Sequence, residues 1–372
     1  MIVQELKEKS MLIIGQHLTS RTEAVRDYFL SKVQSVYVVG LGSFAVNKKE
    51  NHAFYYDNGV IKKHYIFKHP ILKLLRSRRL LITITFLLYC VDILRSLLIF
   101  GKKFDVYIGI SHFSGIVGVI LKKVGVCRKF IYYTIDYYVP HQKECSINFF
   151  EGFNWFETYL LKLSIYIDKL AVRYCDEVWD ISLRIEEGRI AYSNINVKSY
   201  RNKKKIISLG YDADFYRSKG ITDIDRYAIV FVGVTMDSQG LELILDIIPE
   251  LVNIMPEIIV KVIGRGPFLP KFKEMVASRE LGQYFKFYGF IEDVNEMLDV
   301  VSSSAVGVSV WDDKNNRILN AYYGDPGKTK LYSVCGLPVV VSDITVYAKV
   351  ITEYGAGVAI KYDSHQFLEA LK

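Results

Sequence analysis

Residues 324–343 read GDPGKTKLYSVCGLPVVVSD, and their order of residue types fixes a local structure. Pro326 and Gly327 precede a run that reads as a helix from Lys328 to Cys335, and Gly336 stops it. Val339 to Ser342 is then a short β-branched run bounded by Pro338 and Asp343, which reads as a buried strand. A helix leading through one glycine into a short buried strand is a unit of a parallel α/β sheet.

Reading outward, the same alternation extends in both directions. Upstream are strands at Ala228–Val232, Ile258–Ile263, Phe285–Tyr288 and Ala305–Val310, with helices from Leu241, near Leu269–Ser278 and near Val294–Val300. Leu241, Ile244, Leu245, Ile248, Leu251 and Val252 recur at helical spacing on one face. Downstream, Gly357–Ile360 reads as a last strand, and the sequence stops at Leu371-Lys372 within a helical pattern. Before the polar stretch 211–226, read as a linker, a second series runs. Its strands are Met11–Gly15, Ser35–Val39, Asp105–Ile110, Phe130–Thr134, Glu177–Ser182 and Lys205–Leu209. Helices fall near Glu23–Lys32, Leu80–Phe100, Gly115–Lys123 and Thr158–Tyr174, with a hairpin turn at Asn58-Gly59. The pattern predicts two doubly wound α/β domains, 1–215 and 226–372. Gly15, Gly233, Gly264 and Gly289 close strands on the edge where such sheets bind ligands; close approach to a ligand and simple turn-making both account for them.

Composition sets the bounds. The chain has 372 residues, 51% hydrophobic, enough to bury the cores of two or three domains. A net charge of +8 attracts an anionic partner, whether membrane face, phosphorylated ligand or nucleic acid. The cations are not gathered around aromatics in a nucleic-acid module, so no nucleic acid is expected. Cys90, Cys127, Cys145, Cys175 and Cys335 form no C-x-x-C pair, which argues against a disulfide framework or zinc site and for a reducing, cytoplasmic compartment. The start, MIVQELKEKSMLIIG, lacks the apolar core of a signal peptide. Leu80–Phe100 is long enough to span a bilayer but contains Asp92 and Arg95, and basic residues Lys73, Arg76, Arg78, Arg79, Lys102 and Lys103 flank it. Three readings stay open: a buried or half-buried helix of the domain, an interfacial helix on anionic lipid, and a true span.

Taken in order, the blocks VFVGVTMDSQGLELILDIIPEL, VKVIGRGP, FYGFIEDVNEML, AVGVSVW and DPGKTKLYSVCGLPVVVSD resemble the family 4 glycosyltransferases of the GT-B architecture. The resemblance covers roughly Ala228–Ile360 well and the first half loosely. It implies two Rossmann-like domains facing a cleft, an acceptor-binding N-terminal one and a nucleotide-sugar-binding C-terminal one. The C-terminal helix that crosses back in this family is expected to be incomplete here. It also implies retaining transfer with no metal and no cofactor beyond the donor, a UDP-sugar favoured over a GDP-sugar. A helix N-terminus and cationic side chains take the charge growing on the leaving diphosphate. Carried onto this sequence, the family pattern makes Lys328 the phosphate contact and Lys330 a weaker one. Asp325 either binds a sugar hydroxyl or caps the helix. Gly233, Gly264, Arg265, Gly266, Tyr323 and Gly327 line the donor pocket, and Phe290 and Ile291 meet the base. In the first half His112, in GISHFSG, is placed near the reacting sugar, and Asp136 near sugar or acceptor; His141 and Asp180 rank below them, and no general base is assigned.

The sequence also departs from the family. Val234 and Gln239 stand where its donor loop carries Arg and Lys, and Tyr323 and Leu331 where it carries two glutamates. The resemblance therefore implies a transferase acting on a glycan or lipid-linked acceptor in cell-surface polysaccharide or glycolipid synthesis. A non-catalytic GT-B-like partner subunit and a sugar-nucleotide epimerase stand as alternatives. The tract 72–100 would bring the chain to an anionic membrane surface, as a peripheral protein of the inner face.

Overall fold

The computed structural model describes residues 8–16, 20–42, 50–73, 78–137, 154–211, 213, 223–312 and 319–372. Its contacts cluster into two compact units. The first comprises the described residues before 138 with Thr158–Ile181 and Ile185–Ser208; the second comprises Ser182–Arg184 and Leu209–Lys372. Most of the stretch read as a linker lies outside the described residues. Its last two residues are already strand, because Asp225 and Arg226 open β9.

The first unit holds an eight-stranded sheet in the order β4-β3-β2-β1-β5-β6-β7-β8. β1 is Ser10–Gln16, followed by α1 (Ser20–Leu30), β2 (Ser35–Leu41), β3 (Asn51–Asp57) and β4 (Val60–Phe67). Then come α2 (Arg78–Phe100), β5 (Phe104–Ile110), α3 (Ser111–Lys123), β6 (Cys127–Thr134), α4 (Asn154–Tyr174), β7 (Glu177–Asp180) and β8 (Lys204–Ile206). β1, β2 and β5 to β8 pair in parallel; β3 and β4 join as antiparallel strands. Asn58 and Gly59 both take positive φ, 49° and 77°, the backbone a two-residue hairpin turn requires. Met11 to Ile14 are all buried, as both faces of a central parallel strand must be.

Helix α2 contains Leu80–Phe100, and its two sides meet different surroundings. Ile93 is buried in the core of the first unit, with Tyr89, Leu97 and Phe100 packed against it. Asp92, costly in a bilayer, faces that core too: it is fully buried and accepts from Asn51 Nδ2 at 2.7 Å and His69 Nε2 at 2.5 Å. The opposite stripe, Leu87, Val91, Leu94 and Leu98, is exposed. The helix is thus half-buried, with its one acid hydrogen-bonded inside. By length and composition its Thr83–Phe100 window could cross a membrane.

The second unit is a six-stranded parallel sheet ordered β11-β10-β9-β12-β13-β14. Its elements are β9 (Asp225–Val232), α5 (Leu241–Ile254), β10 (Ile259–Ile263), α6 (Leu269–Ser278), β11 (Phe285–Gly289), α7 (Val294–Ser302) and β12 (Ser304–Ser309). They continue with α8 (Leu319–Tyr323), α9 (Gly327–Val334), β13 (Val339–Ser342), α10 (Ala348–Glu353), β14 (Gly357–Ile360) and α11 (Ser364–Leu371). Relative to chain order the strands run 3-2-1-4-5-6, the doubly wound arrangement of dinucleotide-binding domains. Of the predicted apolar stripe of α5, Leu241, Ile244, Leu245, Ile248 and Leu251 are completely excluded from solvent, and Val252 is partly buried against the same core. Strand order reverses between β9 and β12 in this unit and between β1 and β5 in the first. Ligands of such sheets bind beyond the strand ends at those points.

Candidate functional site

In the second unit the reversal point is framed by three loops stitched to one another. Gly233 N donates to Ile263 O (3.0 Å), Thr235 N to Arg265 O (3.2 Å) and Gly264 N to Gly289 O (2.6 Å). A Cβ on Gly264 would lie 1.9 Å from Gly233 O, and one on Gly266 2.3 Å from Thr235 O. What these glycines admit in this structure is neighbouring backbone. Arg265 lies over the exposed ring of Phe290, 4.5 Å from its centroid, and Ile291 is half-buried beside the core.

Helix α9 is pinned over this edge. Tyr332 Oη accepts from Val232 N (2.8 Å) and donates to Val308 O (3.3 Å), so one side chain ties the helix to the ends of β9 and β12. Gly307 makes room for it: a Cβ there would sit 2.3 Å from the ring. Thr329 Oγ1 and Ser309 Oγ share a hydrogen bond of 2.8 Å. Lys328, second residue of the helix, is thereby aimed at the reversal point. Its Nζ lies 4.1 Å from the Phe231 ring centroid and 5.4 Å from that of Trp311, and it donates to Gln239 Oε1. Its stem passes Gly233, where a Cβ would stand 3.0 Å from Cε. Burial lowers its pKa to about 7. Among the described residues no ion pair neutralises it.

Lys330, two residues on, differs. Its Nζ is 2.6 Å from Asp325 Oδ2 and 2.5 Å from Leu209 O, and Asp325 Oδ2 also accepts from Leu209 N at 2.6 Å. Asp325 therefore does not cap the helix. That position is Pro326, which offers no side-chain bond, and the carboxylate is turned to Leu209 and Lys330 instead. Its second oxygen, Oδ1, is buried without a partner. Tyr323 is buried with its ring edge-on to Tyr322, while Gly327 opens the helix against Leu209. Leu331 lies in the apolar core with Val230 and Val339, where a carboxylate would be stranded.

In the first unit the reversal point carries His112, in the first turn of α3. Ser111, just before it, holds φ 73°, a left-handed conformation that costs a non-glycine residue energy and is retained where the surroundings enforce it. His112 is buried, and burial lowers its pKa; Arg189 acts in the same direction, while Asp168 and Asp136 oppose it. Asp136, past the end of β6, is half-buried and near enough to act on His112. Asp180 is not a sugar contact. It is fully buried, 2.8 Å from Arg189 Nη1, and receives the Tyr200 hydroxyl. Arg189 is also fully buried. Its Nε and Nη2 donate to Asp168 at 2.8 and 2.9 Å, and Nη2 to Thr134 Oγ1 at 2.6 Å. Burial works against ionising both carboxyls, but Arg189 holds Asp168 below the usual range; one cation cannot fully serve two acids, and burial pushes Asp180 up. His141 lies outside the described residues.

Phe231, Trp311 and Tyr332 were not singled out from sequence, and Gln239 only as a departure from the family pattern, although all lie within the quoted blocks. An amide and three aromatics signal a site only once a cation is seen among them. An apolar cleft lined by Arg226, Met255, Pro338, Val358 and Leu371 lies at the amino ends of the same strands, away from Lys328.

Residues 226–372 match the family model described as glycosyl transferases group 1. No curated protein matches the sequence. Among solved structures, Anabaena Alr3699/HepE in complex with UDP is 12% identical, with 97% of this chain and 88% of that chain covered and a TM-score of 0.56. The catalytic domain of starch synthase IV from Arabidopsis thaliana, bound to ADP and acarbose, is 12% identical over 92% and 84% of the two chains, with a TM-score of 0.60. The lipopolysaccharide outer core galactosyltransferase WaaB, in its apo form, is 13% identical over 97% and 89%, with a TM-score of 0.57. At such identities these are likenesses of fold.

Proposed function

We propose that this chain, whose residues 226–372 match the glycosyl transferases group 1 model and whose fold is like that of GT-B glycosyltransferases, transfers a sugar from a UDP-sugar to a glycan or lipid-linked acceptor, with retention and without a metal ion. Lys328 carries this reading. A cation held at the carboxyl edge of the sheet, at a helix N-terminus and, among the described residues, without a counter-ion, suits the charge that grows on a leaving diphosphate. Arg265 over Phe290 offers a flat cationic and aromatic surface for the base. The Anabaena structure holds UDP, which favours uridine as the base. His112 and Asp136 serve the sugar or acceptor from the first unit, His112 as a neutral imidazole.

The test is turnover of a UDP-sugar by the purified full chain, by hydrolysis or by transfer to a lipid-linked acceptor. Loss of turnover in Lys328→Ala supports the assignment, and undiminished turnover removes it. The second reading, a non-catalytic partner subunit, is favoured by Val234, Gln239, Tyr323 and Leu331 at positions the family fills with charged residues. It predicts UDP binding with no turnover by the wild type.

The membrane partner belongs to the same proposal. Helices α2, α3 and α4 all contribute to the core cluster under one face of the first sheet. Every exposed charged side chain described on them is basic: Arg95, Lys123, Lys162, Lys169 and Arg173. Exposed Leu94 and Leu98 on α2 and Tyr159 and Tyr166 on α4 stand among them. Apolar and aromatic groups among basic ones suit an anionic bilayer. Flotation with phosphatidylglycerol vesicles at low salt should carry the wild type up and leave Leu94→Glu/Leu98→Glu behind; a wild type that stays in the load removes this partner.

A further inference from the structure

Gln239 occupies a place that the family fills with a second cation, and the structure gives it a different task. The turn carrying it is rigid. Gln239 N donates to Met236 O (3.2 Å), and Asp312 N donates to Ser238 O (2.9 Å). Gly240 follows at φ 78°, so close to β12 that a Cβ would meet Val310 O at 3.0 Å. This backbone directs the Gln239 side chain to Lys328, whose ammonium it accepts above the Phe231 ring.

The residue type matters because of charge. A lysine at 239 would set two desolvated cations against each other, whereas a glutamate would neutralise Lys328 as Asp325 neutralises Lys330. A neutral amide orients the ammonium and leaves its charge unanswered. The surroundings preserve that state. Phe231 from β9 and Trp311 beyond β12 are uncharged. The acids of the adjoining turns, Asp237 and Asp312, act with Asp246 on Glu242 and Tyr362, and among the described residues no charge is seen to act on Lys328 beside its desolvation.

Resting on the donor-site reading above, we propose that Gln239 is a positioning residue that holds Lys328 over Phe231 toward the reversal point without neutralising it, keeping the charge for the donor diphosphate.

The experiment follows Lys328 itself, by NMR of ¹⁵N-labelled lysine side chains in the full chain, and in parallel the affinities for UDP and uridine as a function of pH. The variants are Gln239→Glu and the near-isosteric Gln239→Met. Gln239→Glu should raise the Lys328 titration midpoint by about 1–3 pH units, the effect of an adjacent opposite charge. It should weaken UDP about tenfold or more and leave uridine, which lacks phosphates, unchanged. Gln239→Met should also weaken UDP selectively, without raising the midpoint. A Lys328 midpoint unmoved by Gln239→Glu, or UDP affinity equal to wild type in both variants, overturns the proposal. A wild type that binds no UDP yet shows the shifted midpoint in Gln239→Glu would count against the donor-site reading and leave Gln239 as the holder of Lys328. If neither appears, both fall.

Discussion

Arg189 in the first unit and Lys328 in the second are both cations drawn out of bulk water, and their surroundings are opposites. Arg189 is fully enclosed and answered by two carboxylates, two hydroxyls and the neighbouring rings of Tyr132 and Tyr200. Lys328 is half-buried and answered by an amide and two aromatic rings. Burial alone would rank Arg189 as the more unusual residue. Counter-charge reverses the ranking: a saturated cation fastens a fold, while an unsaturated one remains available to an anion. The difference recurs within a single helix, where Lys330 is committed to Asp325 and Lys328 is not.

The largest effect that could break this contrast is expected from Arg189→Ala. It strands Asp168 and Asp180 in the first core and should cost about 3–5 kcal/mol in denaturant unfolding. A loss below about 1 kcal/mol would mean that the cluster is not the fastening described. Next, Lys328→Ala should lower turnover of the donor by about 10²–10³-fold, the scale of losing one preorganised charge-stabilising donor. Folding should survive it, and the neutral isostere Lys328→Met should raise Tm at pH 7 or below, by about 2–4 °C for each kcal/mol recovered. The sign follows from linkage. The folded-state pKa lies below the unfolded one, so protonated Lys328 opposes folding, and stability contributed by this group rises as pH climbs through about 7 toward the unfolded value. A Lys328→Met variant less stable than wild type would contradict the unanswered charge.

Lys330→Met sharpens the comparison from the other side. It leaves Asp325 buried with fewer partners and should cost about 1–3 kcal/mol of stability, with little selective effect on UDP affinity. The smallest expected effect is on pH dependence. UDP binding by the wild type should be steady below pH 7 and decline above it as Lys328 loses its proton, a change calorimetry at several pH values would read.

Much of this contrast was only half legible beforehand. Lys328 follows Pro326-Gly327 at the start of a helix, so its place at a helix N-terminus could be read from adjacent residues. Its separation from Lys330 in role could not, because Asp325 and Lys330 are completed by Leu209, more than a hundred positions away. The alternation of strands and helices was likewise local and predicted the elements well. The Arg189 cluster was invisible: its members come from β6, α4, β7 and the short helical segments beyond, and nothing in the neighbouring sequence marks them as partners. Asp180, ranked low as a candidate from sequence, is one of these members.

What the sequence determined by itself is whatever depends on residues within a turn or two: the period of its apolar positions, the Asn58-Gly59 hairpin, the helix begun at Gly327 and the strand at Val339. Tertiary structure alone decided which polar groups are answered. Asp92 turned from an intramembrane liability into a buried partner of Asn51 and His69, and Gly264 was found to admit the backbone of Gly233. Lys328 was left with Gln239, 89 positions away in sequence. Secondary structure follows local sterics and periodicity, whereas the balance of a buried charge is set by whichever distant side chains the fold brings within a few ångströms of it.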